Sequence, residues 1–159
     1  MSGTTNSTLI LEFGPVNSRM TALSFRSGSR LSKSVSIKEV LKHKRLCYIQ
    51  GHARPIQVHI KAFEHRDMPV ILDDAEGLYA DPAGRNLLTS LTQTDQVKTL
   101  EWLSSTRILV DQDVPMRFTT TSRVCVITNR WSGSAKEIEA LEDRGHQIYF
   151  DPPPDEVHR

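Results

Sequence analysis

Pro69-Val70-Ile71-Leu72-Asp73-Asp74 is an unbroken apolar run that ends in two acids. A strand with no polar alternation must be covered on both faces, and a parallel sheet lying between helices provides that cover. Similar short segments recur along the chain and alternate with helical patterns. Leu9-Ile10-Leu11-Glu12-Phe13 ends in Gly14-Pro15, as a strand before a turn does. Ser36-Ile37-Lys38-Glu39 has the spacing of a capping box and opens a short helix to about His43. Residues 46–50 read as a strand, and residues 55–66 as a helix with Pro55 in its first turn and Ile56, Ile60 and Phe63 at helical spacing. Asp81-Pro82 starts a further helix that buries Leu87, Leu88 and Leu91. Residues 124–128 form an apolar strand, residues 134–143 a capped helix and residues 147–150 a last strand before Pro152-Pro153-Pro154. The expected fold class is α/β, a three-layer sandwich with a mainly parallel central sheet flanked by helices. Sheets of this kind bind ligands at the carboxyl ends of their strands, so candidate chemistry is sought there.

The chain has 159 residues, enough for one domain with a single core. Its 20 Lys and Arg face 19 Asp and Glu, a formal net charge of +1. That excludes a globally basic binder but leaves room for a local basic patch. No run of apolar residues is long enough to span a bilayer, so no membrane partner is expected. The Ser/Thr-rich residues 1–8 lack the basic flank and cleavage pattern of a secretory signal. Cys47 and Cys125 lie far apart in apolar runs and read as buried free thiols, which fits a reducing, cytoplasmic location.

Three strand or helix ends carry candidate chemistry. Asp73 could hold Mg²⁺, directly or through water, and Asp74 could orient or deprotonate a water. A strand end solvated by ordinary acids fits the same pattern. Asn129, after the 124–128 strand, both donates and accepts, which suits holding a water; a turn-forming Asn fits as well. Arg144, near the end of the 134–143 helix, reads by itself as a cation on the helix dipole.

Taken in order, these segments resemble the AAA+ branch of the P-loop NTPases. Asp73-Asp74-Ala75-Glu76-Gly77-Leu78 looks like the Walker B stretch, Asn129 like sensor 1 with Thr120-Thr121-Ser122 as its polar lead-in, and Arg144 like the arginine finger. The resemblance implies ATP and Mg²⁺ as cofactors, Asp73 as the metal-holding acid, Asp74 in the catalytic-acid place, Asn129 beside the γ-phosphate, and a homo-oligomer in which Arg144 reaches a neighbour's nucleotide. Glu64-His65-Arg66-Asp67 and residues 141–145 look like small ATP-binding proteins of phage and mobile-element type, which implies a link to DNA replication or mobile-element processes.

The phosphate cradle departs from the family. Gly14, Pro15 and Thr21 match the AAA+ loop by position, but Arg19 stands at the second glycine and Met20 at the lysine. Residues 1–41 therefore read as a poorly specified segment with a degenerate phosphate loop, or as a segment outside the fold, as a shifted gene start would produce. Residues 42–159 read as the AAA+-like core, without the helical lid the family usually carries. Residues 24–36, crowded with Ser and Arg, read as a loop or poorly specified segment, a mobile surface with phosphate binding as the alternative. Impaired hydrolysis is the expectation, and a non-catalytic binding or assembly module is the alternative.

Residues 97–102 and 107–110 read as a hairpin placed before the 124–128 strand. It is either a solvated edge or a DNA contact through Lys98, Arg107 and Arg117. Trp102 reads as core, and the spacing of His52, His59 and His65 does not match a metal set.

Overall fold

The computed structural model describes residues 22–26, 38–39, 41–73, 76–127, 139, 143 and 146–149. It is an α/β structure built on a five-stranded sheet. In chain order the strands are β1 (Ala22–Arg26), β2 (Cys47–Gln50), β3 (Val70–Asp73), β6 (Val124–Ile127) and β7 (His146–Tyr149), and their order across the sheet is β2-β3-β6-β1-β7. Every pairing in this sheet is parallel. Between β3 and β6 the chain forms a separate antiparallel pair, β4 (Lys98–Glu101) with β5 (Arg117–Thr120). The helices are α1 (Pro55–Glu64), α2 (Glu76–Ala80), α3 (Pro82–Leu91) and α4 (Arg107–Asp111).

The apolar runs do what their lack of alternation requires. All four residues of β3 and all four of β6 are buried. Register places Cys47, Val70 and Val124 in one row, with Leu72 and Val126 two residues on, so all five share a face. Against that face pack Val58 and Ala62 of α1, Leu87, Leu88 and Leu91 of α3, and Leu100 and Phe118 of the small sheet. Asp81 caps α3 by accepting from the Ala83 N–H at 2.8 Å, and Pro82 takes the first helical place, as the Asp-Pro pair predicts. At α1 the Gln57 side chain accepts from the Arg54 N–H at 3.1 Å.

The opposite face carries Tyr48, Gln50, Ile71, Asp73 and Cys125. The helical residue Lys38 lies on this side. Its Nζ donates to Gln50 Oε1 at 2.7 Å and stands 4.9 Å from the Tyr48 ring centre. Lys38, which follows β1, therefore lies on one face, while α1 and α3, which follow β2 and β3, pack on the other. Right-handed crossovers account for this: the chain leaves β1 toward β2, and leaves β2, β3 and β6 in the other direction. The reversal falls at the boundary between β6 and β1.

Two expectations are corrected. Residues 24–26 are not loop but the end of β1, which lies between β6 and β7. A strand with ladders on both sides is held by its neighbours' backbones, and that overrides a Ser/Arg-rich local composition. β1 also lies ahead of the boundary expected near residue 41, yet it is part of this sheet. The hairpin joins different segments: β4 pairs with 117–120, and 107–111 is helical. Burial decides this, because the helix seats Leu109 against Ile60 and Val114. Trp102 packs on the same cluster, as core. The expected strand at residues 9–13 lies outside the described residues, as does most of the expected helix at 134–143. No helix among the described residues is long and apolar enough to cross a membrane.

The polar lead-in to β6 is fastened to the end of α1. Thr120 Oγ1 donates to the Arg66 carbonyl at 2.7 Å, Ser122 Oγ to that of His65 at 3.0 Å, and the Thr121 N–H to Arg66 at 2.9 Å. Lys98, 1% exposed, donates from Nζ to the Leu91 carbonyl at 2.7 Å and the Ser122 carbonyl at 2.5 Å. It thereby closes the C-terminus of α3, where carbonyls lack helical partners and a cation is favoured. Burial, with Arg123 adding to it, pushes the Lys98 ammonium down to about 8.

Two predictions follow from this packing. Gly84 of α3 passes so close to α2 that an added Cβ would lie 2.2 Å from the Leu78 carbonyl oxygen, with backbone on the receiving side. Gly84→Ala should therefore destabilise the protein by about 2–3 kcal/mol in urea unfolding; a change below about 0.5 kcal/mol contradicts the close crossing. Lys98 binds its proton less tightly in the folded chain than in the unfolded one. Its contribution to stability is thus least favourable below about pH 8 and improves as pH rises toward the ordinary value of 10.5. The Tm of the wild type should gain on that of Lys98→Met between these pH values, whereas parallel Tm–pH curves contradict it.

Candidate functional site

Asp73 closes β3 at the carboxyl edge of the sheet and is 4% exposed. A carboxylate so placed needs donors, since an unsatisfied buried charge is strongly disfavoured. Tyr48 supplies one: its hydroxyl donates to Asp73 Oδ2 at 2.5 Å. Tyr48 is in register with Ile71, two residues before Asp73, so the phenol reaches diagonally along one face to the acid. The Asp73 carbonyl accepts from the Gly51 N–H at 3.1 Å. Gly51 has φ +83°, a left-handed conformation that turns the chain sharply out of β2 and that a side chain would disfavour.

Register fixes which neighbours share this edge. Gln50, Asp73, Ile127, Phe25 and Ile148 form one row across the five strands. The segments leaving β3, β6 and β1 therefore depart side by side. Open α/β sheets take ligands at such a reversal of chain direction, which here falls between β6 and β1. Asp73 lies one strand away from it.

Of the residues singled out for catalysis, nucleotide or metal, Asp73 alone is described. Asp74, Asn129 and Arg144 lie outside the described residues, as do Gly14, Pro15 and Thr21. Asp74 follows Asp73 directly, and Asn129 comes two residues after the end of β6. Gly14, Pro15 and Thr21 all precede β1 in the chain. Lys98 is withdrawn from any role in touching DNA, because its ammonium is buried against two carbonyls. Arg107 and Arg117 remain exposed.

Within the Ser/Arg-rich stretch, one match was not drawn from the sequence. The residues that follow β1 are Ser27-Gly28-Ser29-Arg30-Leu31-Ser32-Lys33-Ser34. They have the length of GxxxxGK[ST] and its closing Lys-Ser, with Ser at both glycine places. Placing the first strand at 9–13 hid this match, because the motif has meaning only directly after a strand.

Other groups are accounted for structurally. The Cys125 thiol is pushed up to about 12 by burial and by the nearby Asp73 carboxylate, and burial raises Cys47 as well. Neither is a ready nucleophile. The two are unbonded, as expected, and β3 separates their strands, so their backbones stand about 10 Å apart, too far for a disulfide. His59 is fully buried on α1, with Nε2 at 3.2 Å from the Pro115 carbonyl and its ring against Trp102 and Phe118; burial lowers its proton affinity. A cleft of about 530 Å³ runs beside β2 and α1. Its charged wall, Lys61 and Glu64, is internally paired at 2.7 Å. Among the described residues no three His, Cys, Asp or Glu side chains gather as a metal cage.

No protein-family model matches the chain, and no curated protein matches it significantly.

Proposed function

We propose that the chain is a nucleotide-binding core of the AAA+ type, with Mg²⁺ held at Asp73 and with weakened hydrolysis. The observation that carries this reading is the adjacency of β3, β6 and β1. The reading needs the acid-ended strand, the Asn-ended strand and the strand before the phosphate loop to open on one edge, and these three are neighbours there. The donor chemistry fits Mg²⁺. This cation takes one or two carboxylates and completes its shell with water and substrate phosphate, so a single buried, hydrogen-bonded carboxylate suffices where a protein cage is lacking.

In this reading residues 27–34, rather than the stretch from Gly14 to Thr21, form the phosphate loop. Lys33 would pair with the β- and γ-phosphates, and the Ser34 hydroxyl would face the metal. Ser27 and Ser32 add a Cβ where the loop wraps tightly around phosphate, which weakens the cradle. Asp74 takes the place of the catalytic acid with one methylene less reach than Glu. Asn129 would orient the attacking water, and Arg144 would serve the site of a neighbouring copy, which makes the working unit a homo-oligomer. Bound Mg²⁺ would offset phosphate charge; the chain's own groups orient the nucleotide and the water. A link to DNA work remains part of the proposal, with Arg107 and Arg117 as candidate phosphate contacts. The alternative is a non-catalytic binding or assembly module.

Titration with ATP, with and without Mg²⁺, tests the proposal. The wild type should bind ATP more tightly when Mg²⁺ is present. Asp73→Asn should remove the gain from Mg²⁺, and Lys33→Ala should weaken ATP binding on the order of tenfold or more. No binding at millimolar ATP overturns the reading, and full binding by Lys33→Ala returns the phosphate loop to another segment.

A further inference from the structure

We infer that Tyr48 is a positioning residue that fixes the Asp73 carboxylate for its metal, an inference that rests on the reading of Asp73 just given. The phenol engages Oδ2 at 2.5 Å and so sets the rotation of the carboxylate about its own bond. With Oδ2 anchored, Oδ1 would be the oxygen offered to a cation or to cation-bound water. The anchor is itself reinforced. Lys38 Nζ lies 4.9 Å from the Tyr48 ring centre and is steered there by its bond to Gln50 Oε1 at 2.7 Å. A cation over the ring face draws electron density from the phenol and makes its O–H a stronger donor. Lys38, Tyr48 and Asp73 thus form a relay from the exposed β2 edge to the carboxyl rim.

The phenol bond satisfies the buried carboxylate and also fixes which of its two oxygens is engaged. The expected consequence is specific to metal: without the hydroxyl, the carboxylate is free to rotate and loses affinity for the cation, while contacts to the nucleotide itself are untouched.

The test uses the full chain, Mn²⁺ as a paramagnetic probe and ATP, with free Mn²⁺ followed by electron paramagnetic resonance. Affinity for ATP alone is measured in the presence of a chelator. Tyr48→Phe keeps the ring and the cation contact and removes only the donor. It should weaken Mn²⁺–ATP binding about tenfold and leave metal-free ATP binding near the wild-type value, while Tm falls modestly because a buried carboxylate loses a donor. Lys38→Met, an exposed change, should shift the same ratio in the same direction by about two- to threefold. In an Asp73→Asn background, Tyr48→Phe should have no further effect on Mn²⁺. Wild-type Mn²⁺ affinity in both Tyr48→Phe and Lys38→Met overturns the inference while leaving the nucleotide reading intact. A loss equal with and without metal also overturns it, since that marks a structural role. Absence of any metal-dependent binding in the wild type overturns the nucleotide reading and the inference together.

Discussion

A buried carboxylate at the end of an otherwise apolar strand is the constraint around which this protein is arranged. β3 is covered on both faces, so Asp73 cannot reach bulk water by turning aside, and its charge must be met by groups on neighbouring strands. Parallel register meets that need. It sets Tyr48 of β2 diagonally before the acid on the same face, and it turns Gly51 back onto the acid's own carbonyl. The same register brings the ends of β6 and β1 level with Asp73, so one edge of the sheet gathers an acid and the departure points of two further segments. A strand slip of one residue would reverse every face and break this arrangement, and the apolar rows of β3 and β6 are what forbid it.

The insert between β3 and β6 has a different logic. The two-stranded sheet and α4 are attached to the main core through Leu100, Phe118 and a set of side-chain-to-carbonyl bonds rather than through a shared ladder. Thr120, Ser122 and Lys98 together satisfy the carbonyls that α1 and α3 leave open at their C-termini. The polar residues ahead of β6 therefore have a structural use of their own, separate from any family resemblance. They hold the start of β6 in place, and with it the point from which the chain runs on toward Asn129.

Much of the fold could be read from the sequence, for physical reasons that differ between elements. β3, β6, α1 and α3 were legible because each carries its own signal: unbroken apolar runs for the strands, and Pro at the first turn followed by helical apolar spacing for the helices. β1 was not, because its composition is ordinary for a loop and only two-sided pairing makes it a strand. The placement of β1 also bears on the proposed phosphate loop, since Lys33 and Ser34 gain that reading only from a strand that ends at Arg26. The partner of β4 was missed for a related reason: residues 107–110 and 117–120 are both short and semi-apolar, and the choice between them rests on whether Leu109 can be buried. Asp73 was legible as an acid at a strand end. Its bond to Tyr48 was not, because that contact depends on which strand lies next to β3. The buried Lys98 was equally hidden, since a lysine in an alternating strand reads as solvated.

The central claim is that metal and nucleotide meet at the carboxyl edge shared by β3, β6 and β1. Paramagnetic broadening of backbone amide signals by Mn²⁺–ATP addresses it most directly, because the two ends of each of these strands differ in position by about 10 Å and the effect falls steeply with distance. The account predicts strong broadening at Asp73, Ile127 and Arg26, with Val70, Val124 and Ala22 spared. Broadening centred on Val70 and Val124, or confined to the cleft beside α1, would contradict it.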